Sequence, residues 1–187
     1  PKAAGNSISV FLKTYVEEKI ARNKNNLGMW DGIRIIYPQK YKGTVKHATI
    51  SQYINLYSGW DYTKSFKFCV VRNPYDRMVS WYFFKYPRKK FNPELFKKHL
   101  LESKEETQLK YILYNGENVM DYIIRYENLK EGFTEVLKKI GIKCNKNLPV
   151  INRSRHGDYH QYYDEESRKL IEELFKEELD YFDYTFD

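Results

Sequence analysis

Phe66-Lys67-Phe68-Cys69-Val70-Val71-Arg72-Asn73-Pro74-Tyr75-Asp76-Arg77-Met78-Val79-Ser80-Trp81-Tyr82 changes character once, between Val71 and Asn73. Up to Val71, apolar residues fall on both faces of an extended segment, as in the central strand of a parallel sheet. From Asn73 onward the stretch predicts a helix, with Asn73 as its N-cap and Pro74 in its first turn. Arg72 is left at the carboxyl end of the strand, where ligands collect in open α/β sheets. A guanidinium at that point can grip a phosphate through two parallel hydrogen bonds. Ser80 lies two helical turns further on. Asp76 and Arg77 read as a surface salt bridge, with each other or with neighbours, and Trp81, Tyr82, Phe83 and Phe84 as packing residues.

A second stretch, Pro1-Lys2-Ala3-Ala4-Gly5-Asn6-Ser7-Ile8, repeats this form. Gly5 lets the backbone approach a ligand, Ser7 adds a hydroxyl, and the helix that follows aims its unbonded amides at the same place. Lys2 adds a mobile positive charge. The order differs from G-x-x-x-x-G-K-[ST], because the lysine precedes the glycine. Alone, the stretch reads equally well as an ordinary helix N-terminus at a chain end. Together the two turns point to one ligand with anionic groups at two ends. A strand is expected ahead of Pro1, so residues are expected upstream of it, and an anchor or targeting segment there would be invisible.

Around these turns the pattern alternates between strand and helix. Ile8, Phe11, Leu12, Tyr15, Val16 and Ile20 predict an amphipathic helix from Ser7 to Arg22. A polar loop is expected from Asn23 to Gly32, a strand over Ile33-Arg34-Ile35-Ile36-Tyr37, and a short helix over Thr49 to Tyr57. Helices are expected at Asn92 to Glu102 and Glu105 to Leu113, with a third strand at Tyr122 to Tyr126. A helix over Leu129 to Ile140 should stop at Gly141. Asn145 to Gln161 should be irregular. The last helix, Asp164 to Leu179, carries an acidic first turn and turns Leu170, Ile171, Leu174 and Phe175 inward. This alternation predicts one α/β domain over 1–187 with a mainly parallel sheet.

The 187 residues suffice for a real core. A net charge of +7 favours anionic partners without choosing among nucleic acid, acidic glycan, nucleotide and anionic membrane. Cys69 reads as a buried thiol and Cys144 as part of a Lys/Asn-rich turn, and nothing in the sequence ties them into a disulfide, which favours a reducing compartment. No apolar run reaches the roughly 18–20 residues of a membrane span. The expected location is the cytoplasm of a bacterial-type cell, or a Golgi lumen if an anchor precedes Pro1.

At these residues the chain resembles the carbohydrate sulfotransferases. They carry a P-K-x-x-G-T-S-like loop for a 5′-phosphosulfate and an R-[ND]-P-x-x-R-x-[VL]-S-x-Y-like segment for a 3′-phosphate. Here the first reads Pro1-Lys2-Ala3-Ala4-Gly5-Asn6-Ser7, with Asn6 in place of the usual threonine. The second matches through Arg72, Asn73, Pro74, Arg77, Val79, Ser80 and Tyr82. Arg125-Tyr126-Glu127-Asn128-Leu129, Leu148-Pro149-Val150-Ile151-Asn152-Arg153-Ser154 and Tyr181-Phe182-Asp183-Tyr184-Thr185-Phe186 resemble later landmarks. The resemblance implies a three-layer, P-loop-like α/β fold with a central, mainly parallel β-sheet flanked by helices. It implies 3′-phosphoadenosine 5′-phosphosulfate (PAPS) as cosubstrate, the bisphosphate PAP as product, and no metal. Lys2, Ala3, Ala4, Gly5, Asn6 and Ser7 would hold the phosphosulfate, and Arg72 and Ser80 the 3′-phosphate. The loop Asn152, Arg153, Ser154, Arg155 would close over the adenosine end. Without the resemblance, Arg153, Arg155 and His156 read as a solvated basic loop.

Sulfuryl transfer needs an aligned acceptor hydroxyl, a proton acceptor and a stabilised leaving phosphate. Lys2 suits the last role. Of the four histidines, His47 stands in a segment like the one in which related enzymes place their base, and is taken as catalytic, although capping of the following helix would also explain it. His99 reads as a surface residue on a Lys-rich helix, and Glu127 as an anchor for its turn. His156 and His160 have metal-like spacing but flank Gly157-Asp158 in a loop. The expected partner is a carbohydrate, with an acidic saccharide drawn by Arg88-Lys89-Lys90 and Lys97-Lys98 unless these are simply a solvated face. Two rivals stand beside this reading. A small-molecule kinase would need magnesium ligands and a lysine placed for a γ-phosphate, and a nucleic-acid-binding domain would need an RNP, zinc-finger or OB-type pattern. The sequence has none of these. Oligomeric state is not encoded in any recognisable pattern.

Overall fold

The strand and helix expected on either side of Arg72 both form. The computed structural model describes residues 3–12, 15, 49–56, 62–103, 107–144, 147–149, 151 and 156–187. In chain order the elements are α1 (Gly5–Leu12), α2 (Ile50–Leu56), β1 (Phe68–Val71), α3 (Pro74–Lys85), α4 (Pro93–Glu102), β2 (Leu113–Tyr114), β3 (Glu117–Asn118), β4 (Tyr122–Arg125), α5 (Leu129–Lys139), α6 (Glu165–Leu174) and α7 (Lys176–Phe182). Short 3-10 turns occupy Tyr62–Lys64, Gln108–Tyr111, Tyr126–Asn128 and Tyr159–Tyr162. The expected strand at 33–37 and the loop before it lie outside the described residues, as does most of the predicted helix beyond Leu12.

β1 and β4 pair in parallel, with Phe68 opposite Tyr122 and Val71 opposite Arg125. Asp121 sets the start of the pair by accepting from the Lys67 backbone amide at 2.6 Å and from its ammonium at 2.8 Å. Side chains alternate across the two strands. Cys69, Val71 and Ile123 face one core, with Tyr75, Met78, Val79 and Tyr82 of α3, Phe96 and Leu100 of α4, Ile171 of α6, and Phe175 and Leu179. Phe68, Val70, Tyr122 and Ile124 face the other, with Ile8, Phe11 and Leu12 of α1 and Phe133, Val136 and Leu137 of α5. Helices therefore cover both faces of the pair, and the α/β class stands. Of the larger central sheet expected, the described residues contain these two parallel strands. Gly132 explains how closely α5 approaches β4: a Cβ there would meet the Ile124 side chain at 2.7 Å.

Local chemistry sets most element ends. Thr49 and Gln52 exchange side-chain to backbone bonds of 3.2 and 2.8 Å, a capping box ahead of α2. Asn92 and Asp164 cap α4 and α6 through bonds of 2.8 and 2.9 Å to Leu95 and Ser167 amides. Gly141, with φ +76°, ends α5 as expected.

Two expectations need correcting. The helix foreseen from Glu105 to Leu113 is a 3-10 turn followed by a β2–β3 hairpin. Asn115 and Gly116 make its two-residue turn with φ of 52° and 83°, the left-handed pair that a tight hairpin requires. The last helix breaks at Phe175, and this leaves Leu174 48% exposed rather than inward. Cys69 and Cys144 form no disulfide and pack against opposite cores, with burial raising the Cys69 thiol to about 12. No helix among the described residues is long and apolar enough to cross a membrane.

His99 is a third correction. It is 1% exposed, packed edge-on against Tyr82 and Tyr86 at 5.9 and 6.1 Å. Neither ring nitrogen has a hydrogen-bond partner among the described residues. Burial, then the Lys85 charge, lowers its pKa to about 4. The unfolded chain takes up this proton near pH 6.5 and the folded chain does not. The associated stability is complete above pH 6.5 and is lost as pH falls toward 4, by up to about 3 kcal/mol. Urea titrations at pH 7 and pH 4.5 should show a smaller acid loss in His99→Leu than in the wild type. An equal loss in both would place the acid sensitivity elsewhere.

Candidate functional site

The site grows from the carboxyl ends of β1 and β4. Asn73 caps α3 by accepting from the Tyr75 amide at 3.0 Å, and Pro74 opens the helix. The Asn73 amide donates to Glu127 at 2.8 Å, so the turn after one strand is tied to the turn after the other. Glu127 also accepts from the Tyr184 hydroxyl at 3.0 Å. Burial and the Glu127 carboxylate both push the Tyr184 phenol up, which keeps it a donor. The anchoring role expected of Glu127 is what its bonds describe. Asn73 further donates to the Thr185 carbonyl at 2.9 Å, and Tyr159 donates to the Phe186 carbonyl at 2.8 Å. The segment 184–186 is thus laced across the front of the turn.

Arg72 is almost fully buried. Its Nε donates to Asp76 at 2.7 Å, and its guanidinium stacks 4.2 Å from the centre of the Tyr126 ring. One edge and one face are therefore set before any ligand arrives. Asp76 pairs with Arg72. Arg77 leaves the surface altogether, meeting both Glu178 oxygens at 3.2 Å with exposures of 1% and 0% for the two side chains. The surface salt bridge expected here is in fact one partly buried and one fully buried pair. Ser80 is also fully buried, two turns along α3. Phe84, expected to pack, is 54% exposed.

The first turn has a feature the sequence did not announce. Ala4, rather than Gly5, takes the left-handed conformation, with φ +56°. That geometry costs an L-residue roughly 1–2 kcal/mol. A left-handed residue beside right-handed helical ones is a backbone form that can turn successive amides toward one concavity and so suits anions. Among the described residues, a Cβ on Gly5 would meet no atom within 4 Å beyond its chain neighbours and its own helix. Ser7 is buried and its hydroxyl accepts from the Ile151 amide at 3.2 Å. Phe11, in the last turn of α1, packs edge-on against Phe133 at 5.2 Å, and Phe133 lies 6.5 Å from Phe68 at the start of β1.

On either side of the segment expected to close the site, the Ile151 amide is bonded to Ser7 of the first turn, and the Tyr159 hydroxyl lies 3.5 Å from the Asn73 amide nitrogen of the second. Seven residues lie between Ile151 and Tyr159, so these two anchors are at most about 28 Å apart. Lys2, His47 and Asn152, Arg153, Ser154 and Arg155 lie outside the described residues. Ala3, Ala4, Gly5, Asn6 and Ser7 sit at the first turn, and Arg72 at the second.

Among the described residues, the surroundings are less basic than the net charge implies. An open cleft of about 280 Å³ beside Asn73 is lined by Asp76, Glu127, Asp183 and Asp187, with Arg125 as a cation. Lys97 is taken up by Asp164 at 2.9 Å and by Glu166, and Lys98 by Glu102 at 3.6 Å. Arg88, Lys89 and Lys90 are exposed, beyond the far end of α3, about 18 Å from its start at 1.5 Å per residue. His156 and His160 are separately engaged, His156 with the Gly157 carbonyl at 2.8 Å and His160 with Asp158 and the Phe186 carbonyl. Among the described residues no group of three or more His, Cys, Asp or Glu is arranged to hold a metal ion.

Compared with models of known families, the chain matches that of the sulfotransferase family over residues 38–185. The chain belongs to the sulfotransferase family. Searches of curated proteins and of solved structures return no match. The matched span takes in His47, the Arg72 turn, the 152–155 loop and the closing segment of this sulfotransferase. The turn at Ala3 to Ser7 precedes it, and its reading rests on its own residues and geometry. Family membership makes the protein a transferase of sulfuryl groups.

Proposed function

We propose that this sulfotransferase moves a sulfuryl group from PAPS to a hydroxyl of a carbohydrate. Lys2, Ala3, Ala4, Gly5, Asn6 and Ser7 hold the phosphosulfate end, with the amides after the left-handed Ala4 facing its oxygens. Arg72 takes the 3′-phosphate; Ser80, buried two turns along α3, keeps that role by resemblance alone. Asn152, Arg153, Ser154 and Arg155 close over the nucleoside between the two turns. The acceptor oxygen attacks sulfur in line, its proton passes to His47, and the bond from sulfur to the bridging phosphate oxygen breaks. Lys2 meets the charge that develops on that oxygen, and PAP leaves. By analogy with phosphoryl transfer, the transition state is loose, and positioning and charge stabilisation supply most of the rate. An acidic saccharide would be attracted through Arg88, Lys89 and Lys90, since Lys97 and Lys98 already have carboxylate partners. The cytoplasm is the compartment proposed, or a Golgi lumen if an anchor precedes Pro1.

The observation that carries this reading is Arg72, buried at the carboxyl end of β1 beside a capped helix N-terminus and pre-oriented by Asp76 and Tyr126. The test is thermal denaturation of the protein titrated with PAP, with ATP plus magnesium, and with a random oligonucleotide. At a hundredfold excess over Kd, PAP should stabilise by about 2.7 kcal/mol and raise Tm by about 5–10 °C. A shift with ATP plus magnesium and none with PAP would favour a kinase. A salt-sensitive shift with the oligonucleotide alone would favour a nucleic-acid-binding domain.

A further inference from the structure

Past Val71, the last residue of β1 paired to β4, the chain loses its neighbouring strand, and the backbone of Arg72 needs other partners. A side chain from a distant turn supplies both. Gln108 accepts from the Arg72 amide through Oε1 at 3.1 Å and donates from Nε2 to the Arg72 carbonyl at 2.9 Å. One amide thus replaces a rung of sheet at the residue that must be placed best. Its orientation is unique, because Nε2 also faces Glu178, and a carboxylate can only accept. Glu178 in addition accepts from the Gln108 backbone amide at 2.7 Å and is held from the other side by Arg77 of α3. The four residues Arg72, Arg77, Gln108 and Glu178 are all buried, at 4%, 1%, 5% and 0% exposure. They close a ring from the strand end through the 3-10 turn and α7 to the helix that begins beside Arg72.

We propose that Gln108, oriented by Glu178, is a positioning residue for the donor: it sets the backbone of Arg72 and so the place where the guanidinium meets the 3′-phosphate. Gln108 belongs to neither anion-binding turn and touches no donor atom in this scheme. The inference rests on the PAPS reading above.

The experiment measures PAP affinity by calorimetry in the wild type, Gln108→Ala, Arg72→Ala and the double variant, with turnover at saturating donor. Gln108→Ala should weaken PAP about tenfold, raise the donor KM to match, and leave the acceptor KM and the saturated kcat within about twofold. In the Arg72→Ala background the same change should have almost no further effect, because the group it positions is gone. A role confined to folding would lower Tm with PAP affinity unchanged, or would weaken PAP by the same factor in both backgrounds, and either result overturns the proposal. If Gln108→Ala does not fold, Gln108→Asn takes its place, keeping the amide but shortening its reach; failure of both to fold would show a structural role and also overturn it. Absence of PAP binding by the wild type would instead sink the functional reading. Binding lost in Arg72→Ala but kept in Gln108→Ala would sink this inference alone.

Discussion

Glu178→Ala is expected to lower folding stability by about 3–5 kcal/mol, the usual cost of stripping one partner from a buried ion pair. For a chain of this size that corresponds to a fall in Tm of about 6–20 °C, against a total stability of only about 5–15 kcal/mol. Three groups lose their acceptor at once. The Arg77 guanidinium stays behind at 1% exposure, its face 4.8 Å from the Phe175 ring, and loses both Glu178 oxygens. The Gln108 backbone amide, bonded to Glu178 at 2.7 Å, and its Nε2 are left in the same dry place. Urea unfolding of Glu178→Ala, Arg77→Leu and an Arg77→Leu/Glu178→Leu double variant separates these contributions. Were the ion pair alone at stake, the apolar double variant would regain nearly all the stability. Only partial recovery is expected, because the Gln108 donors remain unmet. A loss below about 1 kcal/mol in Glu178→Ala would mean that water or a rearranged neighbour takes over the carboxylate, and the ring around Arg72 would lose its physical basis.

What the sequence could show divides along the same line as what is local and what is not. Asn73-Pro74 announced α3, and Gly141 announced the end of α5, because a cap or stop acts on its own few residues. The two-faced apolar run of β1 told correctly that helices would cover both sides. Asn115-Gly116 carries an equally local hairpin signal, but the apolar residues ahead of it also fit a helical spacing. Pairing at long range was not legible. Arg77 and Glu178 stand 101 residues apart, and no pattern in either neighbourhood distinguishes a buried charge from a solvated one. His99 likewise sits among lysines in sequence and among tyrosine rings in space. Periodicity shows that a helix has an inner face; which polar residue falls on it depends on the partner helix. At the first turn the sequence pointed to Gly5 as the permissive residue, while the strained position is Ala4. A left-handed alanine is held by its surroundings and has no signature of its own. The cap and the arginine at the end of β1 were thus readable in the sequence, and the network that holds Arg72 was not.

Arg72→Ala should weaken PAP by about 10- to 150-fold, the equivalent of a charge-assisted hydrogen bond worth about 1.5–3 kcal/mol. The loss has two parts. The guanidinium, fixed by Asp76 at 2.7 Å and by the Tyr126 ring, approaches a phosphate with little reorganisation left to do. Its removal also leaves the Asp76 carboxylate facing the vacated place, where it repels the same phosphate. Arg72→Lys keeps the charge but not the planar fork, and should fall between the wild type and Arg72→Ala. Asp76→Asn combined with Arg72→Ala should recover part of the affinity by removing the repulsion. The comparison that decides the assignment uses adenosine 5′-phosphate, which has the nucleoside and no 3′-phosphate. If Arg72 contacts that phosphate, the variant loses PAP and keeps its affinity for the monophosphate. Equal losses for both would make the change a general disturbance of the turn, and unchanged PAP affinity would remove Arg72 from the donor site.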